Sequence, residues 1–353
     1  FNMSGAAVIA DNLANDNTGG GGYGGGGVCN SGKSSAFNMS GGEIKNNTCI
    51  NLSYGGGVCN RSSTFIMTGG SITGNSTSNG CSGGGVENYY STFTMSGTAA
   101  INNNTAGSGA GVFNFQGTFN MNGGEIKNNI SKGSYGGGVS NKRTFDKTDT
   151  VFNMTGGTIS GNSASFAGGG VYNGGSATFN MSGGEIIDNN CSSNDGYGGG
   201  GVYNASGCKF TVSGKVKISG NVMGGTITNG TLEGGTRNNV RLNSSQYPIT
   251  IESGKSLSAD SSIGISGYFN LTVVTGTTDT TGFFCDNTEY YLKDNGDGGL
   301  KLSQDAVLSG KLLVKNGGEE MTGGKKTYDA GAVVFTDAAV KIGSNTVEGV
   351  EYT

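Results

Sequence analysis

The feature that most constrains this chain is a short sequence that occurs eight times. Phe-Asn-Met-Ser-Gly-Gly-Glu-Ile-Lys-Asn-Asn runs from Phe37 to Asn47, and variants of it begin at seven other phenylalanines. These are Phe1, Phe65, Phe93, Phe119, Phe152, Phe179 and Phe210. Successive starts are 26 to 36 residues apart, so a fixed motif alternates with segments that tolerate insertion. Self-similarity of this length predicts a solenoid with one coil per repeat.

The first seven repeats each contain three short segments: Phe-x-Met, Ile-x-x-Asn, and a glycine-rich segment ending in Val-x-Asn. All three are too short for a helix and are bounded by Gly or Asn, which predicts three strands joined by tight turns. Side chains alternate along a strand, so Phe and Met, and likewise Val and Asn, share an inward face. The expected fold is all-β: a right-handed single-stranded parallel β-helix, with about one repeat of 26–36 residues per coil.

The Ile-x-x-Asn segment ends in asparagine in every repeat. An asparagine at such a turn can hydrogen-bond the equivalent asparagine in the coils above and below it. We therefore predict a structural ladder. Its members are Asn12, Asn47, Asn75, Asn104, Asn129, Asn162, Asn189 and Asn221.

Changes in the repeat pattern along the chain predict three regions. Residues 1–222 form regular β-helix coils, and residues 223–304 form divergent coils and a C-terminal cap. Residues 305–353 form the start of a truncated immunoglobulin-like module. Because the first residue already lies inside a repeat, we expect a fragment with an open N-terminal sheet edge, through which copies associate end to end.

Composition argues against several functions. The net charge is −4, charged residues are 13% of the chain, and Lys and Arg are scattered, so no nucleic-acid binding is expected. No run of about 18 apolar residues is present, so we expect no membrane insertion. There is no histidine, and the seven cysteines lack a metal-ligand spacing, so we expect neither metal nor cofactor. Cys29 and Cys59 occupy equivalent places in adjacent coils, either as free thiols or as a disulfide.

Some parallel β-helices degrade polysaccharides, so the carboxylates of this chain are candidate catalysts. Glu43, Glu125 and Glu185 share a column but lie two or three coils apart, roughly 10 to 14 Å. This exceeds the separation of a retaining pair and reaches the outer limit for an inverting pair. We therefore predict no catalytic residues and no enzyme activity. The segment Asp294–Gly298 is predicted to be a tight turn and not a calcium loop.

Aromatic residues supply the candidate ligand-binding site. Tyr172 and Tyr203 follow valine in adjacent coils, near Tyr197, and are predicted to form an outward aromatic strip. The alternative is cross-coil packing of the same rings, which stabilises the fold without binding a ligand. Further contact surface is expected in the variable loops 15–23, 142–150 and 192–197.

The glycine-rich segments carry a family resemblance. At Gly26-Gly27-Val28, Gly56-Gly57-Val58 and Gly169-Gly170-Val171, the chain resembles the repeats of the polymorphic outer-membrane protein family, whose passengers are adhesive β-helices. It is also similar to large adhesin-like surface proteins of gut bacteria and methanogens, in which such repeats precede immunoglobulin-like modules.

The resemblance implies an extracellular adhesin or stalk on a bacterial cell surface. Its variable loops would bind host glycans, mucin, a cell-surface protein or other cells non-covalently. Two alternatives remain open at this point. One is a polysaccharide-degrading lyase or glycoside hydrolase, and the other is a purely structural spacer.

Overall fold

The computed structural model describes residues 1–15, 24–50, 55–78, 80–143, 149–193, 198–228, 230–244, 246–267 and 271–304, and four short strands beyond them. The chain forms two compact units. One comprises Phe1–Asn287 with Leu292–Leu302, and the other comprises Thr288–Tyr291 with Ser303–Thr353. The described residues form strands and no helix. The first unit is a parallel β-solenoid of about eight turns with about 29 residues per coil, which confirms the predicted solenoid.

One wall of the solenoid is built from the Val-x-Asn segments, and we call it the valine stack. Its strands are Val28–Ser31, Val58–Arg61, Val86–Tyr89, Val112–Phe115, Val139–Lys142, Val171–Gly174, Val202–Asn204 and Val240–Leu242. Neighbours pair in parallel, with valine opposite valine in every coil. The valines are fully buried from Val58 onward, so they form one continuous column of the core.

The second wall, the phenylalanine stack, contains the Phe-x-Met and Ile segments. Its strands are Asn2–Met3, Val8–Ala10, Ala36–Lys45, Thr64–Thr73, Thr92–Met95, Ala100–Asn102, Thr118–Lys127, Val151–Ser160, Thr178–Ile187, Lys209–Ser219, Ile249–Thr250 and Ser262–Ser266. The eight repeat phenylalanines stack face to face, with ring centroids 4.6 to 5.2 Å apart. Buried columns of methionine and isoleucine run beside them.

The division of this wall into two separate strands was predicted wrongly. In most coils the Phe-x-Met and Ile segments form one strand of ten or eleven residues. Five of these strands bend at a Gly-Gly pair, and Lys209–Ser219 has Ser-Gly at the same place. The pairing register shifts at the bend. Gly42 has a φ of 88°, and a β-carbon there would lie 2.5 Å from the carbonyl oxygen of Ala7. Only glycine therefore allows the strand to bend without losing its neighbour.

A third wall, the short stack, follows the ladder asparagines. Its strands are Leu13–Asn15, Thr48–Ile50, Ser76–Thr77, Thr105–Ala106, Ile130–Ser131, Ser163–Ala164, Asn190–Cys191, Val222–Met223 and Thr236–Arg237. All pair in parallel except the last, which is antiparallel to Val222–Met223. The sequence did not predict this wall, because its two- to three-residue strands carry no alternating pattern.

The turn into the short stack requires a left-handed residue just before each ladder asparagine. The residues with positive φ at this place are Asp11, Asn46, Gly74, Asn103, Asn128, Gly161, Asp188 and Gly220, with φ from 54° to 72°. These three residue types tolerate the left-handed conformation best. The turn therefore explains why the residue before the ladder is always Asn, Asp or Gly.

All eight predicted ladder asparagines lie in one column, and each side-chain amide donates to the next side-chain oxygen at 2.8 to 3.0 Å. Asn104 shows the full pattern. Its Nδ2 donates to the Ile72 carbonyl and to Asn129, and its Oδ1 accepts from both the backbone and the side chain of Asn75. Every hydrogen-bonding site of this buried amide is thus occupied.

The ladder extends beyond the predicted set. Asn221 donates to Asn239 at 2.9 Å, and Asn239 donates through its side chain to the Asp286 carboxylate. Asp286 also accepts from Ser266 and from the backbone N–H of Asn239. Burial raises the pKa of Asp286, while these hydrogen bonds act in the opposite direction. The Asp286 carboxylate is therefore the last acceptor of the ladder.

The inward asparagines of the valine stack form a second ladder. From Asn30 to Asn204, each Nδ2 donates to the next Oδ1 at 2.7 to 2.8 Å. Each also donates to nearby backbone carbonyls, as Asn88 does to Ser91 and Thr118. Two amide ladders therefore run along the solenoid, one at each of two turns of the coil.

After the regular repeats, the pairing changes. The remaining strands are Thr226–Thr228, Thr231–Glu233, Thr272–Thr275, Phe283–Cys285, Tyr290–Asp294, Gly299–Gln304, Val314–Asn316, Glu319–Met321, Ala339–Ile342 and Asn345–Glu348. Phe283 continues the isoleucine column by pairing in parallel with Ile263. Thr272–Thr275 pairs in parallel with Ile249–Thr250 and antiparallel with residues of Gly299–Gln304. Most of the predicted immunoglobulin-like segment lies outside the described residues, and the region limits at 222 and 304 stay predictions.

Candidate functional site

The outer face of the valine stack differs from its inner face. The residues that point outward form two columns in register, and their type changes from coil to coil. The first outer column is Cys29, Cys59, Glu87, Phe113, Ser140, Tyr172, Tyr203 and Arg241. The second outer column is Ser31, Arg61, Tyr89, Phe115, Lys142 and Gly174. These two columns hold aromatic, thiol and charged groups together on one face.

An aromatic patch occupies the C-terminal half of this face, and we define it as Tyr135, Phe166, Tyr172 and Tyr203. The Tyr172 ring stacks on Tyr135 at 4.3 Å and on Tyr203 at 5.7 Å. Phe166 meets Tyr135 edge-on at 5.5 Å. Phe166 is 39% exposed, whereas Tyr203 is 7% exposed. The patch thus presents its Phe166 side to solvent.

The predicted tyrosines of this patch differ in their exposure to solvent. Tyr172 and Tyr203 stack on each other as expected, but little of Tyr203 reaches solvent. Burial raises the pKa of Tyr172 above its ordinary value, and the neighbouring Tyr135 and Tyr203 add to the effect. Tyr197 lies outside the described residues, as do large parts of the variable loops 15–23, 142–150 and 192–197.

Sequence reasoning missed Tyr135 and Phe166. Tyr135 precedes a Gly-Gly-Gly block, and a parallel bridge joins it to Ala167 of the next coil. This bridge brings the neighbouring Phe166 alongside the tyrosine. A signal was present, because Tyr54 and Tyr197 also precede glycine blocks, but only the folded loop shows which rings meet.

Cations lie beside the aromatic rings of the outer face. The Lys142 ammonium is 5.8 Å from the centre of the Tyr135 ring. The Arg61 guanidinium lies 4.3 Å from the Tyr89 ring, which stacks on Phe115 at 5.3 Å. Cations over aromatic faces contribute about 0.5 to 1 kcal/mol at exposed sites. The outer face therefore combines apolar rings with positive charge.

A cluster of titratable groups lies at the N-terminal end of the same face. The thiol of Cys59 donates to the Glu87 carboxylate at 3.8 Å, and both residues are only 1% exposed. Burial raises the pKa of Glu87 to about 8, against the opposing charge of Arg61. All seven cysteines lie among the described residues, and none forms a disulfide.

The phenylalanine stack carries a polar groove on its outer side. The groove encloses about 420 Å³ and is lined by amide and hydroxyl side chains, with Glu252 and Lys255 at its edge. Asn180 donates to Asn153, and Asn153 donates to Asn120, each at 2.9 Å. Much of its hydrogen-bonding capacity is therefore already used within the protein.

The three candidate catalytic glutamates, Glu43, Glu125 and Glu185, lie in the predicted column. Ser71 and Ala100 separate Glu43 from Glu125, and one threonine separates Glu125 from Glu185. Glu43 pairs with Lys45 at 2.6 Å, and Glu185 pairs with Lys217 at 3.8 Å. Within the described ranges, no three His, Cys, Asp or Glu side chains are grouped so that they could hold a metal ion.

The predicted turn near residue 296 is confirmed. The Asp294 side chain accepts from the Gly296 N–H at 2.8 Å, and Asn295 accepts from Asp297 and Gly299 at 2.8 and 3.0 Å. These oxygens satisfy the turn itself.

In the part of the chain that the structure describes, no helix is long and apolar enough to cross a membrane.

A scan against protein-family models, a search of curated proteins and a search of solved structures each found no match to this chain. The function is therefore inferred from the chain's own residues and their geometry.

Proposed function

We propose that this chain is an extracellular, non-enzymatic adhesin or stalk segment of a bacterial cell surface, and that it binds host glycans or mucin through the aromatic patch. The observation that carries the proposal is the exposed Phe166 ring, which meets Tyr135 at 5.5 Å in a patch extended by Tyr172. Large exposed rings that gather on one face mark interaction sites more often than scattered single ones.

The chemistry of the patch suits a sugar. One face of a pyranose ring presents C–H groups that pack on an aromatic ring, and the tyrosine hydroxyl hydrogen-bonds the sugar hydroxyls. The stacking between Tyr135 and Tyr172 holds the rings in place before the ligand arrives, which lowers the entropy lost on binding. Lys142, beside Tyr135, adds an attraction for acidic glycans.

The finer architecture belongs to the same proposal. We propose that the solenoid is right-handed, that residues 223–304 cap it, and that residues 305–353 begin an immunoglobulin-like module. We also propose kinship with polymorphic outer-membrane protein repeats. We also propose that copies of the chain associate end to end; sedimentation of the chain at increasing concentration tests it.

The test is binding of the purified chain to a glycan array and to immobilised mucin, with product analysis after long incubation. We expect saturable binding without cleavage. Phe166→Ala and Tyr135→Ala should each weaken it at least tenfold, whereas Tyr247→Ala, which removes a 36% exposed tyrosine outside the patch, should leave it unchanged. Cleavage of a bound polysaccharide would favour the enzyme, and no binding to either surface would favour the spacer.

A further inference from the structure

Two cysteines and a glutamate occupy consecutive positions of the first outer column. Cys29, Cys59 and Glu87 are in register on neighbouring parallel strands, which places their Cα atoms about 4.8 Å apart. Cys29 is exposed, whereas Cys59 and Glu87 are buried. The column thus places an exposed thiol next to a buried thiol, and the buried thiol next to a buried carboxylate.

The surroundings favour a thiolate at Cys29. The adjacent Cys59 thiol is the main cause that lowers the pKa of Cys29 to about 6, and the nearby Arg61 charge acts in the same direction. Contact with Cys29, together with burial, raises the pKa of Cys59. One thiol of the pair is therefore nucleophilic at neutral pH, while the other keeps its proton.

The geometry argues against a permanent structural disulfide. A Cα separation of about 4.8 Å lies within the disulfide range, but in-register parallel strands direct both Cβ atoms the same way. A bond between such cysteines is strained, and strained disulfides are the labile ones that exchange readily with external thiols. The pair is therefore suited to reversible chemistry.

We infer that Cys29 and Cys59 form a thiol–disulfide exchange site for small-molecule disulfides. The Cys29 thiolate attacks one sulfur of the disulfide, forms a mixed disulfide and releases one thiolate. Cys59 then gives its proton to the Glu87 carboxylate, 3.8 Å away, and attacks the Cys29 sulfur, which expels the second thiolate. The external disulfide is reduced to two thiolates, and the two cysteines are oxidised to a Cys29–Cys59 disulfide.

The burial of Cys59 and Glu87 explains the choice of a small partner. Only the Cys29 end of the column is exposed, so the first attack takes place at the surface and the second takes place beneath it. This site is independent of glycan binding, because none of its residues belongs to the aromatic patch.

The experiment treats the reduced chain with oxidised glutathione above the pKa of Glu87, about 8, and maps the products by mass spectrometry. Wild type should give linked Cys29 and Cys59 peptides without a retained glutathionyl group. Cys59→Ser should stop with one glutathionyl group on Cys29, and Cys29→Ser should give neither product. Cys81→Ser, which removes a partly exposed cysteine outside the column, should react like wild type.

Two outcomes would overturn the inference. One is a wild-type chain that keeps glutathione on Cys29, as Cys59→Ser does, since Cys59 then does not resolve the mixed disulfide. The other is modification of Cys81 or Cys285 as fast as Cys29. A measurement that needs no variant is the pH profile of iodoacetamide alkylation at Cys29. Its midpoint should lie near pH 6, and a midpoint near the ordinary value of 9.0 would contradict the site.

Discussion

The two faces of the valine stack follow different rules. The inward positions hold valine and asparagine in nearly every coil, whereas the outward positions change from thiol to carboxylate to aromatic ring along the same strands. Inward side chains must match the coil above and the coil below, so a change in one coil disturbs three. Outward side chains are not held to one repeated residue type, although several of them, such as Cys59, Glu87 and Tyr203, are buried. Function in this molecule is therefore expected on the outer face.

Replacing a ladder asparagine should have the largest effect on the inner face. Asn104→Ala removes the partner of the Ile72 carbonyl and of two N–H groups of Asn75. Each buried group left without a partner costs about 1 to 3 kcal/mol, so the free energy of unfolding should fall by about 3 to 9 kcal/mol for the three groups. Urea denaturation measures it. Asn122→Ala, on the exposed surface, is the matched control and should change little.

The phenylalanine column should come next. Phe119 is fully buried and stacks between Phe93 and Phe152 at 4.9 and 4.8 Å. Phe119→Ala should lower the free energy of unfolding by about 3 to 5 kcal/mol, since it leaves a cavity in a continuous stack. Phe115→Ala removes the same ring from the outer face and should cost about 1 kcal/mol. Equal losses in the two variants would erase the distinction between the faces.

Glu87 sharpens the comparison, because it is an outward residue that is buried. Its pKa is raised from 4.5 to about 8, so its contribution to stability is fully present below pH 4.5 and is lost as pH rises through about 8. Wild type should lose on the order of a few kcal/mol over this range relative to Glu87→Gln. The lowered pKa of Cys29 changes stability with pH in the opposite direction. Subtracting the unfolding free energy of Glu87→Gln from that of wild type at each pH cancels this contribution.

The control for the Glu87 prediction is Glu125→Gln, which changes an exposed carboxylate elsewhere on the solenoid. Its stability should follow the wild-type pH dependence. If Glu87→Gln also followed wild type at every pH, the charge of the buried carboxylate would not be linked to folding.

The smallest effect is expected at the outward ion pair of the phenylalanine stack. Lys217 and Glu185 lie 3.8 Å apart with nearly half of each side chain exposed. Lys217→Ala should change the free energy of unfolding by less than about 1 kcal/mol, because solvent and salt screen such pairs. The free energies of unfolding of wild type and Lys217→Ala should differ less at high salt than at low salt. A loss as large as that of Phe119→Ala would contradict this ranking.

The inner face could be predicted from the sequence because stacking forces repetition. The ladder from Asn12 to Asn221 follows from one conserved spacing within the repeats. Asn239 and Asp286 could not be found in this way, since the repeat spacing has decayed where they join the ladder. The bend at Gly42 was also missed, because a Gly-Gly pair reads equally well as a turn between two strands.

The outer face was predictable only in part. The recurrence of Val-x-Asn places Tyr172 next to Tyr203, but it says nothing about a loop residue such as Tyr135. That contact depends on how the chain before each glycine block folds over the strand. The burial of Glu87 beside Cys59 likewise requires the folded structure, because a glutamate in an outward column reads as a solvated charge.

The most direct test of the central claim measures binding and stability together in two variants. Phe166→Ala alters the aromatic patch and Phe119→Ala alters the core, and both remove one phenyl ring. Each chain is titrated against the mucin or glycan that wild type binds most strongly, and is then unfolded in urea. We expect Phe166→Ala to lose binding at unchanged stability and folded Phe119→Ala to keep binding at reduced stability. Wild-type binding by Phe166→Ala would contradict the assignment of function to this face.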